Sequence, residues 1–372
     1  MKNNKSKNGA VKKIFIIILL IAIIVAGTVL YIKYIEDNTN KEVANTNSYE
    51  NSLENKVIQV PIEEKEVQIY KGTDRPIAVM IDNHDDARPQ VAINDAYVVY
   101  EIIVEGGYTR LMPIFKGQDI DQIGPVRSAR HYFLDYALEN DAIYVHFGQS
   151  PQAGSDIKEL DVDDIEGIYY SNTEFTRTSK KYSPHNVIVS TDSIIDIAKR
   201  KDYRVTSDDE SVLKYDAEEF DLESEILAEE VYIPFSQSED VSFTYDAESK
   251  RYVKYANDKK QTDWVSGEDI TFKNIIITFI ENYTLNDPEN KGRQGLSNIG
   301  TKKGYYITNG KAIEITCTKD SRASKTVYED LEGNEIEVND GNTYIGICPL
   351  NADVTIEPGE EVVESNGNTT VE

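Results

Sequence analysis

Cysteine is almost missing from this chain, with two in 372 residues, too few for a disulfide-stapled mini-fold. Basic residues are also short: 39 Lys and Arg face 66 Asp and Glu, a net of −27. Such a balance excludes a polyanion such as nucleic acid as the main partner. Tryptophan occurs once and methionine three times, whereas Tyr, at 24, outnumbers the 10 Phe. What remains is ample for folding. Hydrophobic residues make up 40% and charged residues 28%, and the length suggests two domains rather than one.

Residues 14–32 (IFIIILLIAIIVAGTVLYI) are 19 uncharged, mostly apolar residues, about what a helix needs to cross the hydrocarbon core. Five lysines (2, 5, 7, 12 and 13) precede the run, and Lys33, Glu36 and Asp37 follow it. The positive-inside rule therefore predicts a cytoplasmic tail at 1–13, a single-pass membrane anchor at 14–32, and residues 33–372 outside the cell. A cleaved signal peptide is the alternative, but the run exceeds the usual apolar core and lacks a clean A-x-A site. No cysteine follows it, so lipid modification is not the expected attachment.

Outside the membrane, residues 33–70 are rich in Asn and Glu and read as a flexible stalk. Residues 71–203 carry short apolar runs separated by turns and at least two helical stretches, which predicts an α/β domain. The expected helices are 128–140, where Ala129, Phe133, Tyr136 and Ala137 fall at helical spacing, and 193–200. An acidic stretch at 204–230 reads as a linker or insertion. Strand-like runs then predict a β-rich (α+β) domain at 231–350, and 351–372 reads as an acidic tail. Cys317 and Cys348 lie in or beside two of its strands, leaving a bridge open.

All four histidines and six of the eleven arginines fall between 75 and 185, so the first domain is where a polar site is expected. In IGPVRSARH (123–131) a Gly-Pro turn leads into the expected helix, placing Arg127 and Ser128 at its N-terminus, with Arg130 and His131 close by. Phosphate or carboxylate binding explains the arginines; pairing with Glu101, Glu105 or Asp135 is the structural alternative. In YVHFGQSPQ (144–152) a strand ends in a turn, a usual place for ligand contacts in α/β folds, and offers His146 and Ser150. A hydrogen-bonded rim histidine is the plainer reading of His146. The loop RTSKKYSPHN (177–186) offers Arg177 and His185, which suit closure over an anion or simply a soluble connection. Asp82 is a further acidic partner. Around it, DNHDD (82–86) invites a divalent cation, but its spacing matches no EF-hand or zinc pattern, so no metal or other cofactor is expected. A Ser–His–Asp hydrolase built from Ser128 or Ser150 with His146 or His185 lacks a G-x-S-x-G elbow.

Several segments together resemble a known family: RPIAVMIDNHDDARPQ (75–90), AYVVYEIIVEGGYTRLMPIF (96–115), IGPVRSARHYFLDYALENDAIYVHFGQSPQA (123–153) and YSPHNVIVS (182–190). NIIITF (274–279), GYYITNGKAIEIT (304–316) and LEGNEIEVNDGNTYIGICP (331–349) belong with them. They are similar to the YerB-like family of Gram-positive bacteria, which look like lipoproteins and pair N- and C-terminal domains of unknown function. The resemblance covers about residues 75–350 and implies two domains and an envelope location, without an established reaction. The chain departs from the family in having no lipobox cysteine, and in lacking a Trp near Thr316-Cys317.

These readings converge on a membrane-anchored envelope protein, more a binding module than an enzyme, whose partner is an envelope protein or an anionic wall-related ligand. Two alternatives remain: an enzyme acting on a phosphate-bearing wall precursor, and a structural module pairing through the strand edges of its second domain.

Overall fold

A computed structural model describes residues 26–36 and 65–359. The chain divides into two compact units, 1–64 and 65–372. In the first, residues 26–36 are helical with exposed side chains. The expected anchor falls mainly outside the described residues, as do the cytoplasmic tail, most of the stalk and the end of the acidic tail. Among the described residues, no helix is long and apolar enough to cross a membrane.

The second unit is organised by one large mixed sheet. Its first strands are β1 (Ile77–Val79), β2 (Ile81–Asp82), β3 (Val98–Ile103), β4 (Thr109–Phe115), β5 (Ile143–His146) and β6 (Asp164–Glu166). Further along come β7 (Ile226–Leu227), β8 (Asn274–Ile280), β9 (Gly300–Thr308), β10 (Lys311–Lys319) and β11 (Thr343–Pro349). The strand order is β7-β10-β9-β8-β11-β3-β4-β1-β5-β6, with β2 on β4 and Val327–Glu329 on β10. Parallel pairs occur at β1–β5, β5–β6, β8–β11 and β11–β3. Every residue of β3 and β4 is buried, as expected of a central strand covered on both faces.

Side-chain alternation divides the core. Val79, Val99, Leu111 and Val145 face one side, where they meet the helix Thr191–Arg200 and a second sheet. Ala78, Tyr100, Met112 and Tyr144 face the other, against helices Phe133–Glu139 and Pro151–Glu159; in chain order the three helices are α1 (133–139), α2 (151–159) and α3 (191–200). The second sheet is wholly antiparallel, in the order Lys259–Lys260, Arg251–Ala256, Asp240–Asp246, Glu230–Pro234, Thr355–Glu357. The N-terminal region is thus mixed α/β and the C-terminal region β-rich and largely antiparallel, apart from the parallel β8–β11 pair, and the β11–β3 pair joins them in one sheet.

Two features differ from the sequence expectation, and a third settles a point it left open. Helix α1 begins at Phe133, not near Ser128, because residues 123–129 run extended. Val126 N–H donates to Val187 O at 2.8 Å and Arg127 N–H to Met80 O at 2.8 Å, so these donors serve strands. Second, packed elements appear inside segments read as stalk, linker and tail. Ile69 N–H donates to Asp340 at 2.9 Å, Val212, Leu213 and Leu222 are buried, and residues 355–357 form the edge strand named above. In each case acidic neighbours face water and mask a few apolar contacts. Third, the two cysteines are free and buried. Cys317 belongs to one face of the large sheet and Cys348 to the other, with β9 and β8 between their strands. Three strand spacings amount to ~14 Å, beyond the reach of a disulfide.

A buried ion pair ties the turn after β2 to the second sheet: Arg88 meets Glu239, which is almost completely buried. Burial pushes the Glu239 carboxyl up to about 7 against the pull of Arg88. The folded state therefore holds this proton more tightly than the unfolded chain, and stability present in acid is lost as pH rises through that value. Glu239→Gln should flatten the profile. Between about pH 5 and pH 8, wild type is expected to lose roughly 2–3 kcal/mol more than the variant, as read by urea unfolding.

Candidate functional site

The parallel strands β1 and β5 end side by side, and the chain segments that leave them line one cleft. After β2, whose last residue is Asp82, a short 3-10 turn at Asp85–Ala87 is capped by His84, whose Nδ1 accepts from Asp86 N–H at 3.1 Å. The β3–β4 hairpin contributes Glu105, Tyr108 and Arg110. Its turn needs Gly107, which has φ of 81° and where a Cβ would lie 2.9 Å from Ser236 Oγ. The extended segment supplies Arg127, Ser128 and Arg130. The turn from β5 into α2 supplies Gln149 and Ser150, and the 178–186 loop supplies His185. The resulting cavity has a volume of about 530 Å³ and also receives Lys291 and Arg293. It opens at the carboxyl ends of parallel strands, where α/β sheets hold ligands.

Charge is its main property. Five cationic side chains (Arg110, Arg127, Arg130, Lys291, Arg293) line it against two carboxylates, Asp82 and Glu105. Arg130 grips Glu105 as a fork, with Nε 2.7 Å from Oε1 and Nη2 2.9 Å from Oε2. That contact outweighs burial and holds Glu105 below the usual carboxylate range. Asp82 Oδ2 accepts from His185 Nδ1 at 2.7 Å and lies 3.1 Å from Arg127 Nε. Arg293 pairs with Asp287 and Glu289, and Lys291 with Glu289. Arg110 has no carboxylate within ion-pair reach among the described residues. It donates to Ser128 O, and burial, reinforced by Arg130, lowers its guanidinium to about 9. His84 stacks on His185 with ring centres 4.8 Å apart and also packs on Tyr108.

The expected site residues separate into two groups. Arg127, Ser128, Arg130, Ser150 and His185 line the cavity, with Asp82 and Glu105 as carboxylate partners. Ser150 is also committed to capping α2, since its Oγ accepts from Ala153 N–H at 3.1 Å. The others lie elsewhere. His146 is fully buried, its ring nitrogens 2.9 Å from Gly148 O and 3.2 Å from Asp164 Oδ2. His131 is half-buried and offers its carbonyl to Arg322. Arg177 bonds Asn186 Oδ1 at 2.6 Å and lies over the Phe147 ring. Glu101 is no partner of these arginines. It is completely buried beneath the cleft, bonded to Asn83, Thr109 and Tyr344 and paired with Lys254, and through Asn83 it fixes the turn that carries Asp82 and His84.

His84, Asp86 and His185 could gather round a cation, their ligand atoms lying within 4.8 Å of one another. Electrostatics opposes this: a dication would meet the lining guanidinium groups, and His84 Nδ1 already accepts a backbone N–H.

Residues 63–204 match the N-terminal and 231–345 the C-terminal domain of a family described as "Protein of unknown function (DUF3048)". The chain belongs to the DUF3048 family. It is 28% identical over 288 residues to "Putative lipoprotein YerB" of Bacillus subtilis (strain 168), spanning 77% of this chain and 85% of that one. The crystal structure of YerB from Bacillus subtilis superposes with a TM-score of 0.68 at 27% identity, covering 76% of this chain and 94% of that chain. The DUF3048 match leaves out the acidic stretch between the two domains. It includes every cavity-lining residue named here, from Asp82 in the first domain to Arg293 in the second.

Arg110, Tyr108, Gln149, Lys291 and Arg293 were not singled out from sequence as site residues. For Arg110 a signal existed, since an arginine within the apolar run TRLMPIF has no water to face. Lys291 and Arg293 had none, as they reach the cleft from a loop far away in sequence.

Proposed function

We propose that this is an extracytoplasmic envelope protein, held to the membrane by residues 14–32, whose folded unit binds a phosphate-bearing ligand in the arginine-lined cleft. The envelope location is supported by the apolar run with lysines on one side and by kinship to a relative named as a lipoprotein. Carrying the binding reading is the convergence of five cationic side chains on one cleft, with Arg110 lacking a carboxylate in ion-pair reach among the described residues, in a chain of net charge −27. Forks of guanidinium N–H groups suit phosphate oxygens.

Calorimetry on the full-length chain in detergent, with glycerol phosphate and dimethyl phosphate as probes, tests this. Arg127→Ala is expected to weaken binding by about 10- to 100-fold, the worth of a charge-assisted hydrogen bond. No binding of either probe by wild type overturns the proposal.

A further inference from the structure

Anion binding explains the arginines but not the Asp82–His185 pair. A carboxylate only accepts hydrogen bonds, so the 2.7 Å contact places a proton on His185 Nδ1. In the neutral ring Nε2 then presents a bare lone pair. Among the described residues it has no hydrogen-bond partner, and the ring lines the cleft beside Arg127. Stacking on His84 fixes the plane of the ring. An oriented imidazole whose outer nitrogen faces a cationic cleft is the arrangement of a general base.

The charge count narrows the substrate. Arg127, Arg130, Arg293 and Lys291 each have a carboxylate within 4 Å, and among the described residues Arg110 has none. One guanidinium of these five is thus left for an anion to pair with, which matches a phosphodiester better than a dianionic monoester.

We propose that the cleft hydrolyses phosphodiesters, with His185 as general base and Asp82 as its positioning residue. This rests on the phosphate-binding reading above and adds turnover to it. A water bound at His185 Nε2 gives up a proton to that nitrogen while its oxygen forms a bond to phosphorus. One phosphorus–ester oxygen bond breaks, its electron pair leaves with the alcohol oxygen, and that oxygen takes a proton from solvent. The imidazolium then returns its proton to the resulting hydroxide, so diester and water become monoester and alcohol. Arg110 and Arg127 hold the non-bridging oxygens as charge grows on them.

The test uses the full-length chain with bis(para-nitrophenyl) phosphate, whose nitrophenolate leaves without protonation, and dimethyl phosphate as the binding probe. His185→Gln is expected to lower turnover by about 100- to 10,000-fold while dimethyl phosphate affinity stays within a few-fold. Asp82→Asn should lower kcat by about 10- to 100-fold, a loss that KM does not share, because the amide no longer holds the proton on Nδ1 and the Nε2 lone pair toward the cleft. Should His185→Gln fold poorly, His185→Gly with added imidazole must recover turnover. Binding of dimethyl phosphate by wild type without turnover, equal turnover in His185→Gln, or failure of imidazole rescue overturns the inference and leaves the binding reading intact. Absence of binding as well removes both.

Discussion

Lys254→Ala is expected to cost the fold about 3–5 kcal/mol, the usual penalty for stranding one member of a buried ion pair. Lys254 sits in the second sheet with its Nζ 3.1 Å from Glu101 Oε2, and both side chains are almost wholly shielded, at 3% and 0% exposure. Removing the ammonium leaves Glu101 with neutral donors only, from Asn83, Thr109 and Tyr344. Urea unfolding with an unchanged slope would measure the loss. Glu101→Gln in the Lys254→Ala background should recover much of it, because no uncompensated charge then remains. The cleft should also feel the single change. Glu101 holds Asn83, whose neighbours Asp82 and His84 stand in the site, so phosphate affinity should fall even where the variant is folded. A loss below about 1 kcal/mol, the level of an exposed pair, would show that water reaches Glu101.

How much of this was legible depended on whether the signal was local. Short apolar runs separated by turns marked the α/β and β-rich regions, with strands such as β8 (NIIITFI) in them, and the helix expected at 193–200 lies within α3 at 191–200. At 126–129 local periodicity misled. Ala129 and Phe133 fit a helical stripe, but strand partners at Met80 and Val187 claim the backbone donors first. Continuity between the two regions was invisible, because the β11–β3 register, Thr343↔Val98 through Ile347↔Ile102, joins segments about 245 positions apart. The same applies to the cleft. Arg127, Ser128 and Arg130 were found as one motif and His185 as part of another, yet nothing in either motif told that Asp82 would orient His185. The helix-dipole argument for Arg127 fails with the helix start. Its place in the cleft comes instead from an extended segment pinned between two strand ends.

Arg110→Met separates a binding arginine from a structural one. Arg110 is 7% exposed, lacks a carboxylate partner among the described residues and stands close enough to Arg130 for its own charge to be disfavoured. A lowered folded-state pKa on a cation means that the folded chain holds this proton less tightly than the unfolded one, so the charge destabilises the fold at every pH below about 9. Replacing such a charge with an apolar side chain of similar length is commonly neutral or stabilising by about 1–4 kcal/mol. The lost donor to Ser128 O offsets about 1 kcal/mol of that. In phosphate-free buffer the variant should therefore be at least as stable as wild type. Its affinity for dimethyl phosphate should fall by about 100-fold, two charge-assisted hydrogen bonds being lost. Adding phosphate diester should raise the melting temperature of wild type and leave the variant unmoved. A structural arginine would give the opposite pair of results, a destabilised variant with its affinity intact, and the missing counter-charge would then have to be found within the protein.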